Sequence, residues 1–317
     1  MQYIVLDLEW NQPWPGSPSA QRKLPIHGEI IQIGAVRMNS EQALEDEFQI
    51  LVRPRYYRKL NKRVSALTGL KDARLREEGV SFPEAMARFR QWCGEDCVFL
   101  SWGFDDAPIL KENLLLFGLP VDWISQWYNA QIIFNAQTDG SASQKALKTA
   151  MELFDITPER PAHDALGDAH HTALVCQRLA LAKGCRDYMQ ALYAHENGFH
   201  GTPPEGCLTR QVFHGFLSKE AALAAMAEST CPTCAGPMSI GRWYPQPGIR
   251  FMAMAVCPEH GKFLLRVRLS RDGENQLKAS RLIYDGTSGA AKAYEELSQK
   301  SRRQKSSQYR KSTANTQ

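Results

Sequence analysis

An apolar run with acids in its middle is the most restrictive stretch of this chain. Residues Tyr3 to Trp10 of MQYIVLDLEWN read as a β-strand, because Ile4, Val5, Leu6 and Leu8 are strong strand and core formers. Side chains alternate faces along a strand, so Tyr3, Val5, Asp7 and Glu9 share one face. Two neighbouring anions repel, and partial burial strengthens the repulsion. The pair is either a solvated strand end or part of a site that needs a cation.

Composition narrows the setting. With 43% hydrophobic and 23% charged residues, the 317-residue chain is ordinary for a soluble protein and has room for two domains. No stretch approaches the roughly 18–20 apolar residues of a membrane span. The first residues lack the basic-then-apolar pattern of a signal peptide, so a cytoplasmic location without a membrane partner is the expectation. The eight cysteines show no disulfide-scaffold spacing and read as reduced thiols plus a metal site. The net charge of +4 is unevenly placed. From Ser298 to Gln317 the chain carries Lys300, Arg302, Arg303, Lys305, Arg310 and Lys311 and no acid. Such a tail is expected to be disordered and suits polyanions, or serves only as a solubilising terminus.

After the first strand, residues 11–28 are rich in Pro, Gly and Ser and read as a loop. Glu29–Met38 and Glu47–Val52 read as two further strands, suggesting an antiparallel meander. Helical patterns follow around Phe82–Trp92 and in APILKENLLLFGL. Two more lie in SQKALKTAMELFDI, with Ser143 as N-cap, and in GDAHHTALVCQRLALAKG, which runs to Gly184. A short strand, Val98–Trp102, lies among them. This order argues for an α/β fold, a mixed sheet with helices on its faces. Beyond about Asp187 the texture changes to a loop, an Ala-rich helix from Ser218, short β-like runs at Phe251–Val256 and Phe263–Leu269, and a last helix before the tail.

Further acids occur where they are unexpected. SWGFDDAPIL ends its strand with Asp105 and Asp106, one of which could be an N-cap. In PAHDALGDAHH, His163 precedes Asp168 by five residues. The two cannot share a face of a regular helix, so they converge only if His163 lies in the loop and Asp168 in the first turn.

In this order, VLDLEWN, EIIQIGAV, LTGL, SWGFDDAPIL and HDALGDA resemble the DEDDh branch of the DEDD exonucleases, which holds ribonuclease T and the proofreading subunit of bacterial DNA polymerase III. The SWG and LTGL wording is most similar to the sporulation-inhibitor-like and small-RNA-trimming members. The resemblance covers residues 1–185 and implies a ribonuclease H-like mixed sheet. It implies two Mg²⁺ or Mn²⁺ ions held by Asp7, Glu9, Asp106 and Asp168, with His163 as general base, and hydrolysis of single-stranded RNA or DNA from the 3′ end to 5′-nucleoside monophosphates. Spacing to Leu110 favours Asp106, with Asp105 in reserve. Leu67, Thr68 and Gly69 match a loop that touches the terminal nucleotide. The family's usual threonine after Asp-x-Glu is replaced by Trp10 and Asn11. Trp14 could stack on a base or pack on its own domain. RPRYYRKLNKR, which interleaves basic residues with Tyr56 and Tyr57, suits a single-strand path or a solvated connection.

CPTC at Cys231 and Cys234, followed by CPEH at Cys257 and His260, matches a closed four-ligand structural zinc site, as in zinc ribbons. A redox CxxC is the competing reading. The expected plan is an exonuclease domain at 1–185, a helical linker at 186–228, a zinc-ribbon-like module at 229–284, and a helix with basic tail at 285–317. Alternatives are a non-catalytic nucleic-acid-binding protein on a nuclease fold, or an oligoribonuclease or proofreading use of the same site.

Overall fold

Strand β1 (Gln2–Asn11) is the centre of a five-stranded sheet, in a computed structural model that describes residues 2–14, 16, 24–272 and 276–299. It pairs antiparallel with β2 (Glu29–Met38), which pairs antiparallel with β3 (Leu44–Leu51). On its other side β4 (Cys97–Ser101) runs parallel, and β5 (Trp127–Asn129) runs parallel to β4. The order β3-β2-β1-β4-β5 is the mixed sheet expected from sequence.

Nine helices lie in this part of the described chain: α1 (Lys62–Thr68), α2 (Asp72–Glu77), α3 (Phe82–Cys93), α4 (Asp106–Leu116), α5 (Ala130–Gln137), α6 (Leu147–Leu153), α7 (Ala165–Cys176), α8 (Leu181–Arg186) and α9 (Tyr188–Asn197). The even-numbered side chains Ile4, Leu6 and Leu8 of β1 bury against Phe82, Met86 and Phe89 of α3 and Leu110 and Leu114 of α4. The odd-numbered Tyr3 and Val5 bury against Ile132 and Ile133 of α5 and Ala169 and Ala173 of α7. Burial on both faces explains why β1 and β2 are nearly continuous apolar runs rather than alternating ones.

Two residues of β2 seat α7. Gly34 lies opposite Asp7 in the register, and Gln32 opposite Glu9. A Cβ on Gly34 would stand 2.1 Å from the carbonyl carbon of Ala165, so only glycine lets the helix backbone descend onto the sheet here. The Gln32 amide donates to Asp164 Oδ1 at 2.7 Å and accepts from the Ala165 N–H at 3.4 Å. Asp164 is the N-cap, accepting from the Gly167 N–H at 3.1 Å. The residues beside the two strand acids thus hold the helix that carries Asp168.

The chain divides into two units, residues 1–140 with 144–192, and 141–143 with 193–317. The second contains a sheet of order β6-β11-β10-β9-β7. Its strands are β6 (Cys207–Phe216), β7 (Ser239–Ile240), β9 (Arg250–Cys257), β10 (Gly261–Arg271) and β11 (Leu277–Asp285), with β8 (Tyr244–Gln246) paired to β9. One face buries Phe263, Leu265, Val267 and Leu269 beneath α10 (Lys219–Met226) and the Cys231 knuckle. The other buries Met252, Leu264 and Tyr284 beneath Ala291 and Tyr294 of α11, residues 289–299. Among the described residues no helix is long and apolar enough to cross a membrane.

Several expectations are corrected. Residues 186–228 are not a helical linker: Cys207–Phe216 is a strand zipped to β11, because an isolated strand leaves its backbone groups unpaired. The two Cys/His knuckles therefore sit on a larger antiparallel sheet than a ribbon, and the first unit runs to residue 192 rather than 185. The helix expected through Gly184 breaks into α7 and α8. Ser143 does not cap α6, whose N-cap is Ala146; its hydroxyl accepts from the Gly201 N–H at 2.9 Å. The basic stretch from residue 300 lies outside the described residues.

Replacing Gly34 with alanine should cost about 1–3 kcal/mol, the range for overpacking, read as a lower urea midpoint. An unchanged midpoint would show that α7 is not seated on this glycine.

Candidate active site

The C-terminal end of β1, the start of α4 and the start of α7 meet at one cavity of about 470 Å³, with α1 on its rim. Asp7, Glu9, Asp105, Asp106, His163 and Asp168 all line it, together with Leu67 and Thr68. Gly69 and Trp14 do not. Gly69 serves the backbone instead, ending α1 in the left-handed region at φ 71°. Trp14 is exposed.

The two candidate aspartates of SWGFDDAPIL differ in setting. Asp106 is buried and its Oδ1 accepts from the Leu8 N–H of β1 at 3.0 Å. Asp105 is exposed and makes no capping bond to α4. His163 lies in the loop before α7 and Asp168 in the first turn, the arrangement their spacing demanded. The His163 N–H donates to Asp168 Oδ2 at 2.9 Å, and His163 takes a left-handed φ of 61° to do so. That conformation costs a side-chain-bearing residue about 1 kcal/mol or more. One ligand atom from each of Glu9, His163 and Asp168 lies within 4.8 Å of the others.

Charge is the dominant feature. Among the described residues none of the four carboxylates pairs with a lysine or arginine. Burial, then Asp106, Asp168 and Glu9, push the Asp7 carboxyl well above the usual range. Burial with Asp168 and Asp106 raises Glu9 to about 8. Burial raises Asp106 to about 7 against the Leu8 N–H, and raises Asp168 against the His163 N–H. Four clustered carboxylates with one imidazole, and no lysine or arginine paired to them among the described residues, fit hard divalent ions.

Other residues shape the cavity, among them Trp10 and the basic stretch ending at Arg63 that the sequence singles out, and Gln12, to which it gives no role. Trp10, Gln12, Asn61, Arg63 and Trp102 line it. Asn11 is fully buried. Its amide donates to the carbonyls of Tyr57 at 2.7 Å and Lys59 at 3.0 Å, and its Oδ1 accepts from the Asn61 N–H at 2.9 Å. Buried Glu29 accepts from the N–H groups of Arg55, Tyr56 and Tyr57 at 2.5–3.1 Å. A buried asparagine and glutamate beside a loop were the available signals. These bonds hold the segment leading into α1. They also use its tyrosines structurally: Tyr57 is buried and Tyr56 packs edge-on against Phe117. The Thr68 hydroxyl donates to the Val64 carbonyl and accepts from the Leu70 N–H, whereas Leu67 is left exposed on the rim.

In the second unit, ligand atoms of Cys231, Cys234, Cys257 and His260 lie within 4.8 Å of one another. Cys234 Sγ and Cys257 Sγ are 3.7 Å apart, as are Cys257 Sγ and His260 Nδ1. Tetrahedral zinc with Zn–S of about 2.3 Å gives ligand separations of about 3.6–3.8 Å, so this cluster could hold zinc.

A mixed sheet flanked by helices, with clustered carboxylates and a loop histidine at its strand ends, defines an exonuclease-type nuclease fold. The family model for Exonuclease (RNase_T) matches residues 4–176, and the chain belongs to that family. Among solved structures it is similar to the nuclease domain of 3′hExo, described as a DEDDh family member bound to rAMP. The identity is 23%, over 58% of this chain and 93% of that one, with a TM-score of 0.50. It is also similar to a full-length 3′-exonuclease, at 21% identity and TM-score 0.50, spanning 61% of that chain. No curated protein matches.

The pH dependence of stability follows from the acids. The folded chain keeps Glu9 protonated to about 8, whereas its ordinary value is 4.5, so the folded state binds more protons between these limits. Without added divalent ions, the melting temperature of the first unit should fall as pH rises from 4.5 to about 8. Added Mg²⁺ or Mn²⁺ should restore most at the upper end. A flat profile in calorimetry would contradict this charge arrangement.

Proposed function

We propose that the chain is a metal-dependent 3′–5′ exonuclease that removes 5′-nucleoside monophosphates from single-stranded RNA or DNA. The observation that carries the reading is the convergence of Asp7, Glu9, Asp106, Asp168 and His163 on one open cavity. Asp7, Glu9, Asp106 and Asp168 would hold two Mg²⁺ or Mn²⁺ ions, which when bound supply Lewis acidity to the scissile phosphate and lower the pKa of water. The buried Asp106 is the ligand rather than Asp105, because its burial and its bond to β1 hold it facing the strand acids.

His163 acts as general base. It is exposed on the cavity wall, where it can take a proton from the attacking water, and release that proton to solvent. Its own N–H keeps Asp168 oriented. On the rim, Leu67 offers an apolar surface to the terminal base or sugar, and Arg63 a cation to a phosphate. Thr68 contributes by folding the rim, since its hydroxyl is already bonded within the loop. Any stacking by Trp14 takes place outside the cavity.

The second unit binds one structural zinc through Cys231, Cys234, Cys257 and His260. All four positions are protein groups, which leaves no open position for chemistry. None of the eight cysteines forms a disulfide, and the five outside this cluster are free thiols.

Asp7→Ala and Asp168→Ala should abolish release of mononucleotides from labelled strands while far-ultraviolet dichroism is retained. Asp106→Asn should cost far more activity than Asp105→Asn. His163→Ala should slow turnover by roughly 10²–10⁴-fold yet keep metal binding by calorimetry. Undiminished turnover in either alanine carboxylate variant would sink the reading.

Elemental analysis should find one zinc per chain. Cys231→Ser should release it and loosen the second unit to proteolysis, because closed zinc sites contribute folding energy directly. Hydrolysis of short strands should persist. Zinc-free protein with an intact second unit would refute the assignment.

A further inference from the structure

The second unit carries a face that neither the nuclease site nor the zinc cluster uses. In its sheet the even-numbered residues of β9, β10 and β11 point away from α10 and the zinc knuckles. At one end α11 covers them, through Ala291 and Tyr294 on Met252, Leu264 and Tyr284. At the other end the side chains change character. The register aligns Arg210, Leu282, Arg266 and Met252 in one row across four strands. It aligns Val212, Ser280, Arg268 and Arg250 in the next, and Ser270 with Lys278 beyond. A groove of about 680 Å³ runs over these rows, walled by Arg210, Arg250, Arg266, Arg268 and Lys278, with Phe199 and His200 at its margin. No carboxylate lines it, and Arg250, Arg266, Arg268 and Lys278 form no ion pair among the described residues.

We propose that this open half of the sheet is a second nucleic-acid contact, which holds the sugar–phosphate backbone of a single strand. Charge complementarity decides the occupant. Five cations on a short, flat face repel one another and attract a polyanion. Arg250, Arg266 and Arg268 offer planar forks that match phosphate oxygens in a bidentate way, whereas the Arg210 guanidinium already donates to the Glu196 and Gly198 carbonyls and contributes its charge. Arg266 and Arg268 stand two residues apart on β10, roughly 7 Å along the strand, so the face meets successive charges of an extended chain. Ser270 and Ser280 add hydroxyls between the cations, and Phe199 and His200 offer ring surfaces beside them. None of these groups reads base edges, so the contact is independent of sequence. The choice of nucleic acid over an acidic polypeptide rests on the exonuclease reading of the first unit.

The full chain and its Arg250→Glu/Arg268→Glu/Lys278→Glu variant would be compared by fluorescence anisotropy on a long labelled single strand, without added divalent ions so that nothing is cleaved. The variant should bind at least roughly tenfold more weakly at moderate salt. Its salt dependence should flatten by about 2 in the log–log slope, at about 0.7 for each lost contact on a single strand. Dinucleotide hydrolysis with Mg²⁺ should stay unchanged. If the triple variant melts early, Arg268→Gln alone should still reduce the slope by about 0.7. Equal affinity and slope in variant and parent would overturn the proposal. So would polyglutamate competing as well as a homopolymer strand of matched charge, which would assign the face to an acidic protein. A chain that binds strands through this face but hydrolyses none would remove the exonuclease reading and leave this one in place.

Discussion

Crowding of like charge at one end of β1 is the constraint around which the first unit is arranged. Asp7 and Glu9 share a face, Asp106 comes up beneath them, and Asp168 descends from above, with no lysine or arginine paired to any of them among the described residues. Burial and mutual repulsion both disfavour ionisation, which is why Asp7, Glu9, Asp106 and Asp168 all shift upward. A carboxylate wall of this kind is held together by something outside itself. Here that is the core: Ile4, Leu6 and Leu8 on one face and Tyr3 and Val5 on the other anchor β1 in apolar packing on both sides. The strand is rigid because its first half is buried, and the second half can then carry unfavourable charge. In the proposed function, bound divalent ions would complete the balance.

The same logic governs the approach of α7. Gly34 and Gln32 are the cross-strand neighbours of Asp7 and Glu9. One removes a side chain so the helix can come down, and the other bonds the helix start by both its donor and its acceptor. Asp168 and His163 reach the strand acids because of these two residues. On the far rim Asn11 and Glu29 do the corresponding work for the loop into α1, by satisfying backbone groups that would otherwise be buried without partners. The cavity is therefore built from two kinds of residue, carboxylates proposed to carry the chemistry and polar or small residues that place the backbone.

The second unit divides its sheet between structure and surface. One face is closed by α10 and the knuckles of the Cys231 cluster, the other is half closed by α11, and the remainder is basic. An exposed antiparallel sheet of this kind is stable only because the opposite face buries a continuous core, here Phe263, Leu265, Val267 and Leu269. Cations on the free half then cost little, since solvent screens them until a polyanion arrives.

Much of this is legible in the chain itself. Period-two alternation alone puts Asp7 and Glu9 on one face. The five-residue separation of His163 and Asp168 demands a loop followed by a first turn, and the two knuckles announce a four-ligand cluster. These are local facts: strand periodicity, helix geometry and ligand spacing act over a few residues. What tertiary structure alone decided is long-range pairing. The strand Cys207–Phe216 carries no strong pattern of its own and exists because β11 is beside it, so it reads as linker in isolation. The meaning of Gly34 and Gln32 depends on a helix some 130 residues later. The basic face is invisible along the chain, because Arg210, Arg250, Arg266, Arg268 and Lys278 are scattered in sequence and become one patch only when the register aligns four strands.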